Sequence, residues 1–104
     1  MFGSMNANTG RGTAVDFATL VKAGAQIVDV RSEEEYEDGH IAGSVNISVQ
    51  SLPSRLGEIK KDKVVITCCA SGARSSTAKR ILEAGGFPEV YNGGGWRSLK
   101  GALS

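Results

Sequence analysis

The 104-residue chain predicts an α/β fold, a parallel sheet with helices on both faces, and two observations carry that expectation. Short β-branched runs alternate with amphipathic segments, a pattern that yields parallel strands joined by crossover helices. The run Lys63-Val64-Val65-Ile66-Thr67-Cys68 is apolar nearly throughout, as a central strand covered on both faces must be.

Element by element, Thr13-Ala14-Val15-Asp16 resembles a capping box, and Phe17, Leu20 and Val21 follow at helical spacing until Gly24. Gln26-Ile27-Val28-Asp29-Val30 reads as a buried strand with Asp29 and Arg31 at its carboxyl end. Ser32 is an N-cap followed by Glu33, Glu34 and Glu35, acids that suit the positive end of a helix dipole, and Gly39 ends this short helix. Residues 44–48 form a second strand. Residues 51–60 form a helix with Leu52, Leu56 and Ile59 on one face and Pro53 in the first turn. After the strand at 63–68 and a short loop, a helix begins near Arg74-Ser75, carries Ala78, Ile81 and Leu82, and stops at Gly85-Gly86. Val90-Tyr91 is a last strand before Asn92-Gly93-Gly94-Gly95.

Twelve basic and eleven acidic residues give a net charge of +1, so no broad field directs the chain to nucleic acid, and no apolar run approaches the roughly 20 residues that cross a bilayer. The two cysteines are adjacent. A bond between neighbours is strained and closes no useful loop, so Cys68 and Cys69 are expected to be free thiols, which suits a reducing compartment such as the cytoplasm. Residues 1–10 read as a flexible leader or an expression remnant, and residues 11–104 as one domain. No metal or cofactor is called for.

The chemistry concentrates in Cys69-Ala70-Ser71-Gly72-Ala73-Arg74-Ser75. A cysteine between the end of a strand and the start of a helix, with a glycine that frees the backbone to curl, meets converging N–H groups and the positive end of the helix dipole. Such sites lower a thiol from about 8.5 to roughly 3.5–7.5. Strand alternation sends one of the two cysteines into the packing and the other toward the loop; Cys69 is the nucleophile on this reading and Cys68 a small buried hydrophobe. Ala70 and Ala73 keep the loop small. Arg74 either binds an oxyanion or braces the loop with a salt bridge. Arg31 is expected to pair with Glu35 four residues on, and Trp96 to pack in the core or at its rim.

These residues resemble the active-site loop of single-domain rhodaneses, in which four residues separate cysteine from arginine. Asp29-Val30-Arg31, Glu35-Tyr36 and Gly39-His40-Ile41-Ala42-Gly43-Ser44-Val45-Asn46-Ile47 resemble the family's first signature, and Tyr91-Asn92-Gly93-Gly94-Gly95-Trp96 its C-terminal one. The resemblance implies a rhodanese-like α/β fold with a central five-stranded parallel sheet flanked by helices on both faces. It implies a thiosulfate sulfurtransferase whose Cys69 takes sulfane sulfur from thiosulfate or another persulfide donor and passes it to cyanide, a small thiol or a protein thiol. Residues 70–75 would bind the donor anion, and Asp29, Arg31, Glu35 and His40 would form a polar framework behind the loop, His40 as a hydrogen-bonded structural group. A non-catalytic persulfide carrier or binding module is the alternative. Phosphatases and arsenate reductases of related fold use a loop one residue longer, which this chain has only if counted from Cys68.

Overall fold

A computed structural model describes residues 15–104. The leader expected over 1–10 and the Thr13 and Ala14 of the expected capping box lie outside the described residues. Helix α1 (Phe17–Lys22) is capped by Asp16, whose carboxylate accepts from the Thr19 N–H at 3.1 Å. Strand β1 (Gln26–Asp29) leads into α2 (Glu33–Glu37), where Ser32 and Glu35 form a reciprocal capping box. A short strand β2 (Val45–Asn46), the long central β3 (Val65–Cys69), helix α3 (Ala73–Ala84), strand β4 (Val90–Gly95) and helix α4 (Trp96–Leu103) complete the order.

The four strands are parallel and lie in the order β2-β1-β3-β4. Two buried layers result. Val65 and Cys69 join Val28, Val30, Leu52, Ala78, Leu82 and Phe87 on the α3 face, whereas Ile66 and Cys68 join Ile27, Ile41, Trp96 and Leu99 on the face covered by α1 and α4. The period of two along β3 thus sends the adjacent cysteines to opposite sides of the sheet.

Four expectations need correction. The sheet has four strands among the described residues rather than five. Residues 51–60 form two 3-10 turns, Leu52–Ser54 and Leu56–Glu58, rather than an α-helix. Pro53 has no N–H to donate and Arg55 leaves helical geometry at φ −124°, so the backbone closes i to i+3 bonds such as Arg55 N–H to the Leu52 carbonyl at 2.9 Å. The apolar face survives, with Leu52 and Ile59 buried. Strand β4 continues through the three glycines to Gly95, and α4, unforeseen in the sequence, follows at once. Arg31, finally, precedes the N-cap of α2 and so lies outside the helical spacing that would bring it to the Glu35 carboxylate; it pairs with Asp29.

The glycines of β4 let that strand approach β3 closely. A Cβ at Gly93 would lie 2.8 Å from the Thr67 carbonyl oxygen and 2.9 Å from both Ile66 and Leu99, and one at Gly95 would lie 2.9 Å from the Ala70 carbonyl. Gly93→Ala is therefore expected to destabilise the fold by about 1–3 kcal/mol through overpacking, read as a lower denaturant midpoint with an unchanged slope.

Candidate active site

The carboxyl ends of β1, β3 and β4 meet at one edge, where open α/β sheets place their ligands. Cys69 closes β3, and Ala70, Ser71 and Gly72 carry the chain to α3. Gly72 adopts φ +102°, a left-handed conformation that a side chain resists, and it stands at the N-cap of α3 without a side chain to offer. The Cys69 sulfur takes over that capping role. It accepts the Gly72 N–H at 3.0 Å and the Ser75 N–H at 3.4 Å, so orphan donors of the helix end converge on the thiol.

Cys69 has no exposed surface, and burial opposes its ionisation. The hydrogen bonds from the Ser75 hydroxyl and from the Ser75, Gly72 and Ser71 N–H groups outweigh that cost, and the thiol lies below its ordinary value. Its neighbour is an internal comparison. Cys68 is equally buried but has no such donors; desolvation, reinforced by the Asp29 charge, pushes its thiol up to about 12. Both cysteines are free.

Ser75 deserves a role that sequence reasoning gave it only as a loop member. Its single hydroxyl proton faces three acceptors: Asn92 Oδ1 at 2.6 Å, the Gly72 carbonyl at 3.0 Å and the Cys69 sulfur at 3.5 Å. With a neutral thiol the shortest contact holds the proton, and the sulfur can donate to the hydroxyl oxygen. A thiolate is the one charged acceptor of the three, and charge-assisted bonds are about twice as strong as neutral ones, so ionisation draws the proton toward sulfur. Asn92 also accepts the Gly94 N–H at 2.8 Å and reaches the Gly72 carbonyl at 3.4 Å, tying β4 to the loop. Its part was hidden in the sequence. The only signal was its place in the Asn-Gly-Gly-Gly motif, and its aim depends on the irregularity that shifts the β3–β4 register between Thr67 and Cys69. Thr67, also unremarked, is fully buried and donates to the Ser75 carbonyl at 2.9 Å, anchoring the first turn of α3 to the strand.

Behind the loop stand two ion pairs. Asp29, with no exposed surface, receives the Arg31 Nε and Nη2 at 3.0 and 2.7 Å, and Arg31 also donates from Nη1 to the Glu35 carbonyl and from Nη2 to the Gly39 carbonyl. Asn46 bonds the Asp29 and Arg31 carbonyls and fixes the end of β1. Arg74 meets Glu35 through both Nη atoms at 2.7 and 3.0 Å. This bidentate pair and the Ser32 N–H hold the Glu35 carboxyl at about 2. His40 does not join the framework the resemblance implied. It is exposed, stacks on Tyr36 at 3.8 Å, and places Nδ1 2.8 Å from the Tyr36 carbonyl. Ala70, Ser71 and Ala73, which follow the buried sulfur in the chain, are exposed.

A buried thiol ringed by donors thus closes the central strand of a parallel α/β domain, and the comparisons place the chain in one family. It belongs to the rhodanese-like domain family, which matches residues 13–102, and thus to the rhodanese-like sulfurtransferases. It is 33% identical over 88 residues to the thiosulfate sulfurtransferase PspE of Escherichia coli, covering 83% of this chain and 85% of PspE. It is 40% identical over 80 residues to the uncharacterized protein YqhL of Bacillus subtilis, covering 76% of this chain and 64% of YqhL. Among solved structures, a rhodanese with anions from E. coli superposes with a TM-score of 0.68 at 31% identity, covering 72% of this chain and 91% of that one. Reduced Bacillus anthracis CoADR-RHD gives 0.73 at 34% identity over 85% of this chain; the chain spans only 16% of that protein.

Two outcomes test the site's electrostatics. Ser75→Ala is expected to move the pH midpoint of Cys69 alkylation by iodoacetamide upward, from a wild-type midpoint below the roughly 8.5 of free cysteine. Glu35→Gln is expected to lower stability at neutral pH by about 0.2–1 kcal/mol, the range of an exposed ion pair. Because Glu35 titrates at about 2 in the folded chain against an ordinary 4.5, that stabilisation is complete above about pH 4.5. It fades as pH falls through about 2, so urea titrations of the two proteins should converge there.

Proposed function

We propose that the chain is a thiosulfate sulfurtransferase that works through a persulfide on Cys69. The observation that carries this reading is the pair of N–H groups, from Gly72 and Ser75, aimed at one buried sulfur. The Cys69 thiolate attacks the outer sulfur of thiosulfate, a new S–S bond forms, the thiosulfate S–S bond breaks, and its electron pair leaves with sulfite. The product is an anionic persulfide. Its terminal sulfur extends toward the rim formed by residues 70–73, where backbone donors already in place stabilise the charge without rearrangement. A second nucleophile, cyanide or a thiol, then takes the sulfur and returns Cys69 to the thiolate.

In this scheme residues 70–75 bind the donor anion chiefly through their backbone. Arg74 contributes positive charge while its fork braces the loop against Glu35. Asp29, Arg31 and Glu35 position the loop and touch no reacting atom. The thiol needs no general base once its donors favour the thiolate, and the reaction's sulfur donor and acceptor are the partners the chain requires. Its two free thiols suit a reducing compartment, the cytoplasm. None of the described helices is long and apolar enough to cross a membrane.

Mass spectrometry after thiosulfate treatment is expected to find one added sulfur on Cys69, absent in Cys69→Ala and retained in Cys68→Ala; an adduct that follows Cys68 overturns the assignment. Steady-state transfer from thiosulfate to cyanide separates an enzyme from a carrier that only retains one sulfur. Turnover of p-nitrophenyl phosphate should stay at background, since phosphoryl chemistry belongs to the longer loop.

A further inference from the structure

The geometry points to a second recognition element beside the sulfur loop: a cavity that selects a zwitterionic aminothiol of the cysteine class as sulfur acceptor, with Asp38 and Arg97 as its two specificity determinants. The inference rests on the sulfur-transfer reading above. The cavity, about 190 Å³, is lined by Arg31, Glu35, Asp38, Ala70, Trp96 and Arg97. Ala70 follows Cys69 directly, so the cavity adjoins the loop that would carry the transferable sulfur.

Its four charged side chains are not equivalent. Arg31 is committed to Asp29 and two carbonyls, and Glu35 to Arg74 and Ser32. Asp38 and Arg97 make no side-chain hydrogen bond or ion pair among the described residues, with each other or with anything else; Arg97 lies over the Trp96 ring at 4.8 Å. Asp38 is set by the C-terminus of α2 and Arg97 by the first turn of α4, so two opposite, uncommitted charges face one cavity from separate elements.

An anion alone gains from Arg97 and loses from Asp38. A molecule carrying both an ammonium and a carboxylate gains from both. The volume is below the roughly 300–1,000 Å³ of sites for drug-sized ligands, which favours a single amino-acid unit over a long cofactor thiol. Trp96 also lines the cavity, with the Arg31 and Arg97 guanidiniums over its ring at 4.7 and 4.8 Å. In the transfer step the acceptor thiolate attacks the outer sulfur of the Cys69 persulfide. A new S–S bond forms to the acceptor, the old one breaks, and its electron pair returns to Cys69 as thiolate. The acceptor leaves as a hydropersulfide bearing the proton its thiol released, so no outside oxidant or reductant enters.

The test loads the full chain, Asp38→Asn and Arg97→Gln with sulfur from thiosulfate, removes the donor, and mixes each with cysteine, 3-mercaptopropionate, cysteamine or cyanide. Second-order rate constants are expressed per acceptor thiolate and divided by the cyanide constant of the same protein, so a loss common to every acceptor cancels. The wild type is expected to favour cysteine over 3-mercaptopropionate, which lacks the ammonium, and over cysteamine, which lacks the carboxylate, by roughly threefold to fivefold each, the factor of one exposed charge contact. Asp38→Asn should abolish the first preference and keep the second, and Arg97→Gln the reverse. Equal normalised constants for the three thiols in the wild type, or preferences that survive both substitutions, overturn the inference while leaving sulfur transfer to cyanide intact. A wild-type chain that takes up no sulfur from thiosulfate overturns the transfer reading and this inference together.

Discussion

The N–H groups of Gly72 and Ser75 pointing at the Cys69 sulfur are the contact on which the rest of the site depends. Cys69 belongs to the same packed layer as Val28, Val30 and Leu82, an environment that penalises a charged sulfur. Cys68 measures that penalty one residue away, with a thiol pushed up to about 12. Both side chains are fully covered, so exposure does not separate them. Donors do. A buried atom can hold charge if fixed dipoles replace the water it has lost, and the start of a helix is a compact source of such dipoles.

Aiming those donors constrains distant parts of the chain. The loop must reverse within three residues, which Gly72 permits in its left-handed conformation. The first turn of α3 must sit at a fixed height above β3, and the Thr67 hydroxyl on the Ser75 carbonyl sets it. The Ser75 hydroxyl must be held near the sulfur without being lost to it, and Asn92 holds it. Asn92 reaches that point because β4 runs tight against β3, an approach that side chains at Gly93 and Gly95 would block. From the other side, the Glu35–Arg74 pair ties the loop to α2, and Asp29–Arg31 ties the start of α2 to the sheet. A half-buried pair such as Glu35–Arg74, still more than a third exposed, adds little to global stability, so its effect is better understood as restricting the loop.

Much of this was legible in the sequence where the cause is local. The apolar run of β3, the cap at Ser32 and the break at Gly85 each depend on residues close in the chain, and the parallel α/β class follows from their order. The choice of Cys69 as the loop-facing thiol also had a local basis in strand alternation. What was hidden depends on spatial partners. The helical spacing of Leu52, Leu56 and Ile59 identified a buried face but could not register that Pro53 and Arg55 would tighten it into 3-10 turns. The sequence separation of Arg31 and Glu35 suggested a pair, yet each has a better partner, one two residues away within a strand end and one 39 residues away on α3. The part played by Asn92 required knowing that β4 slips in register, and the exposed position of His40 required knowing that Tyr36 would stack beneath it.

The division of labour around the sulfur follows from the same constraint. The donors that favour a thiolate here are backbone N–H groups and one short hydroxyl, that of Ser75, all at close range. The exposed loop residues Ala70, Ser71 and Ala73 are small and uncharged and cannot distinguish one donor or acceptor from another by charge. Beside the loop the fold leaves a cavity with charge of both signs. Arg31 and Glu35 are bound into the framework, so changing them would disturb the loop along with any preference. Among the described residues Asp38 and Arg97 make no side-chain hydrogen bond or ion pair, Arg97 resting on the Trp96 ring, so changing them leaves the hydrogen bonds around the sulfur in place. On the proposed reading, such a site would keep its chemistry in one loop and the first turn of α3, and its selectivity in side chains that the loop does not need.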